Sequence, residues 1–126
     1  MVRLLAERWN RGDHTLPPEL LDPAIELESP LSSIRGEPYR GHSGIAEWSQ
    51  AIDEQFAEWR VSAEELREVD GGVLGIGTAH LRGRVSCVEL DQPSAVIVDF
   101  GPDQRITRIR IYADVDAALE AAGLRE

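Results

Sequence analysis

A chain of 126 residues, 42% hydrophobic and 29% charged, has the length and composition of one globular domain. A domain of that size buries roughly two-thirds of its unfolded surface. The formal net charge of −10 opposes a nucleic-acid partner, which is held by clustered cations. All 13 cationic residues are Arg, which excludes a Schiff-base lysine, a lysine general base and a phosphate-loop lysine.

The single cysteine, Cys87, has no internal partner for a disulfide, as suits a reducing compartment. The opening MVRLLAERWNRGD is amphipathic and charged, without the apolar run of a signal peptide, and no window approaches a membrane span. The expected location is therefore cytoplasmic, with neither membrane nor nucleic acid as partner.

In chain order, Val2 to Asn10 reads as a short helix with Val2, Leu5 and Trp9 on one face and Gly12 as its stop. Thr15 caps a second short helix that tolerates Pro17 and Pro18 in its first turn and ends at Asp22-Pro23. Ala24 to Ser29 is a strand, with Ile25 and Leu27 on one face and Glu26 and Glu28 on the other. Pro30 to Gly41, with its prolines and glycines, is a rim loop. Ser43 then caps the longest helix, along which Ile45, Trp48, Ile52, Phe56 and Trp59 recur at helical spacing.

Ser62 to Glu68 carries a capping-box pattern, yet Val61 and Ala63 alternate outward from Arg60 and Asp70-Gly71-Gly72 signals a hairpin. Strand is the reading taken. Val73 to Arg84 is a long strand, and Val88 to Phe100 continues through Pro93 to the next. The last strand, in Arg105–Ala113, alternates Ile106, Ile109 and Ile111 against arginines, with one slip at Thr107 and Arg108. A helix follows, with Asp114 as N-cap and Gly123 as C-cap. Helices, a strand, a helix and then a meander make an α+β layout over a single domain, 1–126.

The segments LDPAIELESP, GEPYRGHSGIAEW, LRGRVSCVELDQP and RITRIRIYADVDAALEAAGL, at these separations, resemble the SnoaL-like branch of the NTF2-like superfamily. That resemblance implies a cystatin-like α+β cone. In it a strongly curved mixed sheet wraps a long helix, a pocket lies inside, and a homodimer often forms through the outer sheet face. It implies no one reaction, because ketosteroid isomerases, polyketide cyclases, epoxide hydrolases and noncatalytic proteins share the fold. Carried over by motif, the steroid isomerases' base position falls on Ser29, their second acid on Val96 and their helix tyrosine on Leu5. The epoxide hydrolases' Arg-x-Asp pair falls on Gly77 and Ala79, and their second Asp on Ile111. Neither acid–base set is present.

The resemblance places a ligand pocket among Trp9, Leu27, Ser29, Trp48, Ile52, Val96, Val98, Ile109 and Ile111. Trp9, Trp48, Phe56 and Trp59 equally read as plain core, with Trp48 the one nearest a pocket mouth. His80, Arg82 and Arg84 alternate on one face of the long strand. They form either an acid–base site or, the favoured reading, an outward charged ladder pairing with Glu89 and Asp91. Glu26 and Glu28 read as solvent-facing, and His42 as a partner of backbone groups at the helix start. Histidines 14, 42 and 80 show no metal-ligand spacing, so neither a metal site nor a cofactor is expected.

Two functions are compatible with these residues. One is a binder of a small hydrophobic molecule in an apolar pocket, without the family's catalytic residues. The other is an isomerase- or cyclase-type enzyme on a steroid-, terpene- or polyketide-like substrate, with His80, Tyr39 or Asp91 moving the proton. For the homodimer, Ile97, Arg108, Arg110 and Tyr112 are the expected outer-face residues.

Overall fold

The alternating runs of the chain pair into one sheet, since each leaves one apolar face that must be covered. The computed structural model describes residues 7–8, 11, 18–29, 36–69 and 71–123. A 3-10 turn at Pro18–Leu20 enters β1 (Leu21–Glu28), followed by a short β2 (Tyr39–Arg40) and helix α1 (Gly41–Gln55). Then come β3 (Phe56–Val69), β4 (Gly72–Gly83), β5 (Glu89–Phe100), β6 (Ile106–Tyr112) and the short helix α2 (Val115–Ala121). The strand order is β2-β1-β6-β5-β4-β3. β1 and β6 run parallel, and every other neighbouring pair is antiparallel. The α+β layout and the meander of β3 to β6 are those read from the sequence. The helix read over Val2 to Asn10 lies largely outside the described residues, and of the helix read from Thr15 to Asp22-Pro23 the described part is a single 3-10 turn, Pro18–Leu20, that passes into strand at Leu21.

Each face of the sheet has its own cover. On the inner face α1 lays Ile45, Trp48 and Ile52 over Ile25, Leu27, Val61, Val96, Val98 and Ile109. On the outer face α2 packs Ala118 against Leu74, Ala95 and Ile97. Ile97 is therefore 1% exposed and not an open outer-face residue, a correction to the dimer face expected above. Beside α2 the outer face is an ion-pair ladder, Arg40–Glu26, Arg108–Glu28 and Arg110–Asp99. The Glu28 carboxylate raises the Arg108 pKa further.

Bulges bend the sheet. Phe100 faces Ile106 and Asp99 faces Arg108, so Thr107 is the extra residue, and the slip in the isoleucine alternation is a β-bulge. Its hydroxyl donates to the Asp99 carbonyl at 3.3 Å. A second irregularity lies in β3, where Ala63 pairs with Gly77 and Glu65 with Ile76. There the strands approach so closely that a Cβ on Gly77 would stand 1.6 Å from the Ser62 carbonyl oxygen. Pro93 is accommodated because β6 ends opposite Ala95, leaving that stretch of β5 at an edge.

Three boundaries differ from the sequence reading. β1 begins at Leu21 and absorbs Asp22-Pro23 in a bulge, with Asp22 Oδ1 accepting from the Ala24 amide at 2.8 Å. Helix α1 starts at Gly41 with Arg40 at its N-cap, so Ser43 is inside the helix and is not its cap. The helix stops at Gln55, which puts Phe56 and Trp59 on β3. Arg84 holds that stop in place. Its backbone amide donates to the Gln55 carbonyl, its Nε to Asp53 O at 2.7 Å and its Nη2 to Phe56 O at 3.2 Å. At the other end of the chain Asp114 caps α2, accepting from the amides of Asp116 and Ala117. Among the described residues, no helix is long and apolar enough to cross a membrane.

Candidate functional site

Where α1 gives way to β3, the helix no longer covers the whole inner face, and a cavity of about 140 Å³ remains. Its aromatic wall is Trp48, Phe56 and Trp59; the two tryptophans meet edge to face, 5.6 Å apart at 86°. Ile52, Ala79, Leu81 and Ile111 supply aliphatic surface from α1, β4 and β6. Polar groups come from Ser29 at the end of β1 and from Gln92 and Ser94 of β5, and Tyr112 and Ala113 close the end of β6. Ser29 and Ser94 are both buried. Among the described residues, the lining carries no carboxylate, imidazole, guanidinium or thiol. Such a site offers shape, apolar contact and a few neutral hydrogen-bonding groups.

Of the pocket residues expected from sequence, Ser29, Trp48, Ile52 and Ile111 stand on this wall. Leu27, Val96, Val98 and Ile109 do not: they lie under α1 in the packed core. Trp9 and Leu5 lie outside the described residues. Phe56 and Trp59, weighed from sequence as cavity wall or plain core, stand on the wall, whereas the expected set did not include Ala79, Leu81, Gln92 and Ser94. The last four share strand parity with the inner face, a signal present in the sequence once the register is known. The carried-over catalytic positions Ser29, Ala79 and Ile111 do point into the cavity, and they bring one hydroxyl and two apolar side chains.

The three candidate proton-transfer residues are elsewhere. Tyr39, 6% exposed, packs in the core on β2 opposite Leu27. His80 and Asp91 are cross-strand partners on the outer face, one residue out of phase with the cavity-lining Ala79 and Gln92. His80 Nδ1 donates to Asp91 Oδ1 at 2.5 Å, while Nε2 lies 3.6 Å from Glu58 Oε2 and 3.6 Å from Glu89 Oε1. The hydrogen bond to Asp91 raises the His80 pKa above its usual 6.5, with the Asp91 and Glu58 charges adding to it. This is the outward charged ladder. His42 Nε2 donates to the Leu21 carbonyl at 3.1 Å and so ties the start of α1 to β1. A second depression, about 250 Å³, lies behind the aromatic wall beside Arg11, Asp53, Glu58 and Arg60. Its charged rim sets it apart from the apolar cavity.

A curved mixed sheet wrapped on one helix, with a cavity between them, defines the NTF2-like, ketosteroid-isomerase-like fold. The chain has that fold. It is similar to an NTF2-like protein of unknown function from Burkholderia pseudomallei, with 18% identity and a TM-score of 0.75 over 96% of this chain and 93% of that one. It is similar also to a hypothetical protein with a ketosteroid isomerase-like fold from Catenulispora acidiphila, solved in complex with trimethylamine, at 16% identity, TM-score 0.71, over 98% and 92%. A third similar structure is assigned as a SnoaL-like polyketide cyclase from Shewanella denitrificans, at 17% identity, TM-score 0.69, over 98% and 96%. No protein-family model and no curated protein matches the sequence.

Proposed function

We propose that this protein binds a small, mainly apolar molecule in the cavity between α1 and the sheet and performs no acid–base chemistry on it. The observation that carries this reading is the wall itself, aromatic and aliphatic, with Ser29, Gln92, Ser94 and the Tyr112 phenol as its neutral polar side chains and, among the described residues, no carboxylate, imidazole or thiol. The volume sets the size of the guest. At about 140 Å³ the cavity is close to an engineered apolar cavity of about 150 Å³ that holds benzene, so it suits a one-ring ligand. A steroid would have to project well beyond it. Ser29, Gln92 and Ser94 favour a ligand with one hydroxyl or carbonyl group. The acid–base alternative named His80, Tyr39 and Asp91, and none of them lines the cavity.

A thermal-shift series graded by size tests the reading: phenol, p-cresol, indole, 2-naphthol and progesterone. A ligand at 100 times its Kd stabilises the folded state by about 2.7 kcal/mol, a rise of several degrees in Tm. One-ring compounds are expected to raise Tm and progesterone to leave it unchanged. Flat responses to all the small compounds at saturation count against the proposal. A homodimer through the outer face is part of the same proposal, now resting on Arg108, Arg110 and their neighbours, since α2 covers Ile97.

A further inference from the structure

The outer face of β3, β4 and β5 brings together groups that are far apart in sequence. Arg60, His80 and Asp91 stand in one cross-strand row, and Glu58, Arg82 and Glu89 in the next. Within this patch the two nitrogens of His80 are treated differently. Nδ1 is at hydrogen-bonding distance from Asp91, whereas Nε2 faces Glu58 and Glu89 at 3.6 Å from each. That is too long for an N–H···O bond, which spans about 2.7–3.2 Å. It is close to the separation of two ligands on one ion. With metal–ligand bonds of about 2.0–2.2 Å, tetrahedral neighbours lie roughly 3.3–3.6 Å apart. Ligand atoms of all three residues fall within 4.8 Å of one another.

We propose that Glu58, His80 and Glu89 form a surface site for a divalent transition-metal ion, with Asp91 orienting the imidazole. Asp91 accepts the Nδ1 proton and so fixes the tautomer whose Nε2 lone pair points between the two carboxylates. This carboxylate–histidine–metal relay is the usual support of a metal-binding histidine. One nitrogen and two carboxylate oxygens suit Zn²⁺, with a water as the remaining ligand. Glu58 divides its oxygens, Oε1 taking Arg60 at 2.6 Å and Oε2 facing His80. Three carboxylates against Arg60 and Arg82 leave the patch net negative, which favours a cation. The ion would clamp three adjacent strands outside the cavity. Spacing along the chain gave no hint of this, because the ligands are cross-strand neighbours.

The test is isothermal titration of the untagged, EDTA-stripped full chain with ZnCl₂ in a non-chelating buffer, together with His80 resonances in NMR. Expected are one ion per chain, a shift of the His80 ring signals, and a Tm raised by Zn²⁺. His80→Gln should abolish binding, and Asp91→Asn should weaken it about 10- to 100-fold. Circular dichroism of the metal-free variants checks their folding, and Glu58→Gln serves in place of any that misfolds. The proposal is overturned if the wild type takes up no Zn²⁺, or if His80→Gln or Asp91→Asn binds it as the wild type does.

Discussion

Gly77 is where the curvature of the sheet meets a single side chain. Any Cβ there would collide with the Ser62 carbonyl, and neither backbone can move without disturbing the β3 bulge beside it. Gly77→Ala should cost about 1–3 kcal/mol, the usual penalty for overpacking, seen as a lower denaturation midpoint with little change in its slope. An unchanged midpoint would mean the strands are not so close. His80 gives a second residue-level expectation. In metal-free protein its ring should titrate above 6.5 by NMR, and Asp91→Asn should bring it back toward that value. A raised folded-state pKa adds stability that is complete below about 6.5 and is lost as pH rises through the folded value. The imidazole is only half-buried and its partner Asp91 is exposed, so solvent screening keeps the effect on stability small. From sequence, the alternation of His80 with Ala79 left its face undecided. Pairing with Asp91 and Arg60 decides it.

At the scale of elements, the end of α1 is secured from outside. Its last turn has no basic residue of its own, and Arg84 reaches in from the β4–β5 turn to its carbonyls. Arg84→Met should therefore lower stability by about 1 kcal/mol, whereas Arg82→Met should do much less. Equal effects in the two variants would remove that role. This junction is also where the sequence misleads. Ile52, Phe56 and Trp59 keep helical spacing across it, yet Phe56 and Trp59 fall on β3, since three positions cannot separate a period of 3.6 from a strand start. Elsewhere local signals were enough. The Thr107 slip marks a bulge, Asp114 a cap, and Gly71, at φ +79°, the β3–β4 turn. Asp22-Pro23 read as a stop because a bulge that swallows a proline depends on the partner strand, which lies far along the chain.

At the scale of the whole molecule, the fold was legible because motif order and spacing survive where individual residues do not. The cavity wall was only half legible. Which inward residues stay uncovered depends on where α1 ends, and that is a property of the assembled structure. The outer face carries the dimer prediction. Light scattering at micromolar concentration should report twice the mass of one chain, and Arg108→Glu should shift it toward monomer; a monomeric wild type would contradict the dimer.

The most direct measurement of ligand binding is an NMR titration of the wild type and an Ala79→Leu variant with p-cresol. Ala79 lines the cavity, and the larger side chain would fill much of it. In the wild type, ligand protons should show NOEs to Trp48, Ile52 and Ile111, saturating at one ligand per chain, and these should vanish in Ala79→Leu while its fold persists. NOEs confined to the protein surface, or equal binding by both proteins, would contradict a ligand site in this cavity.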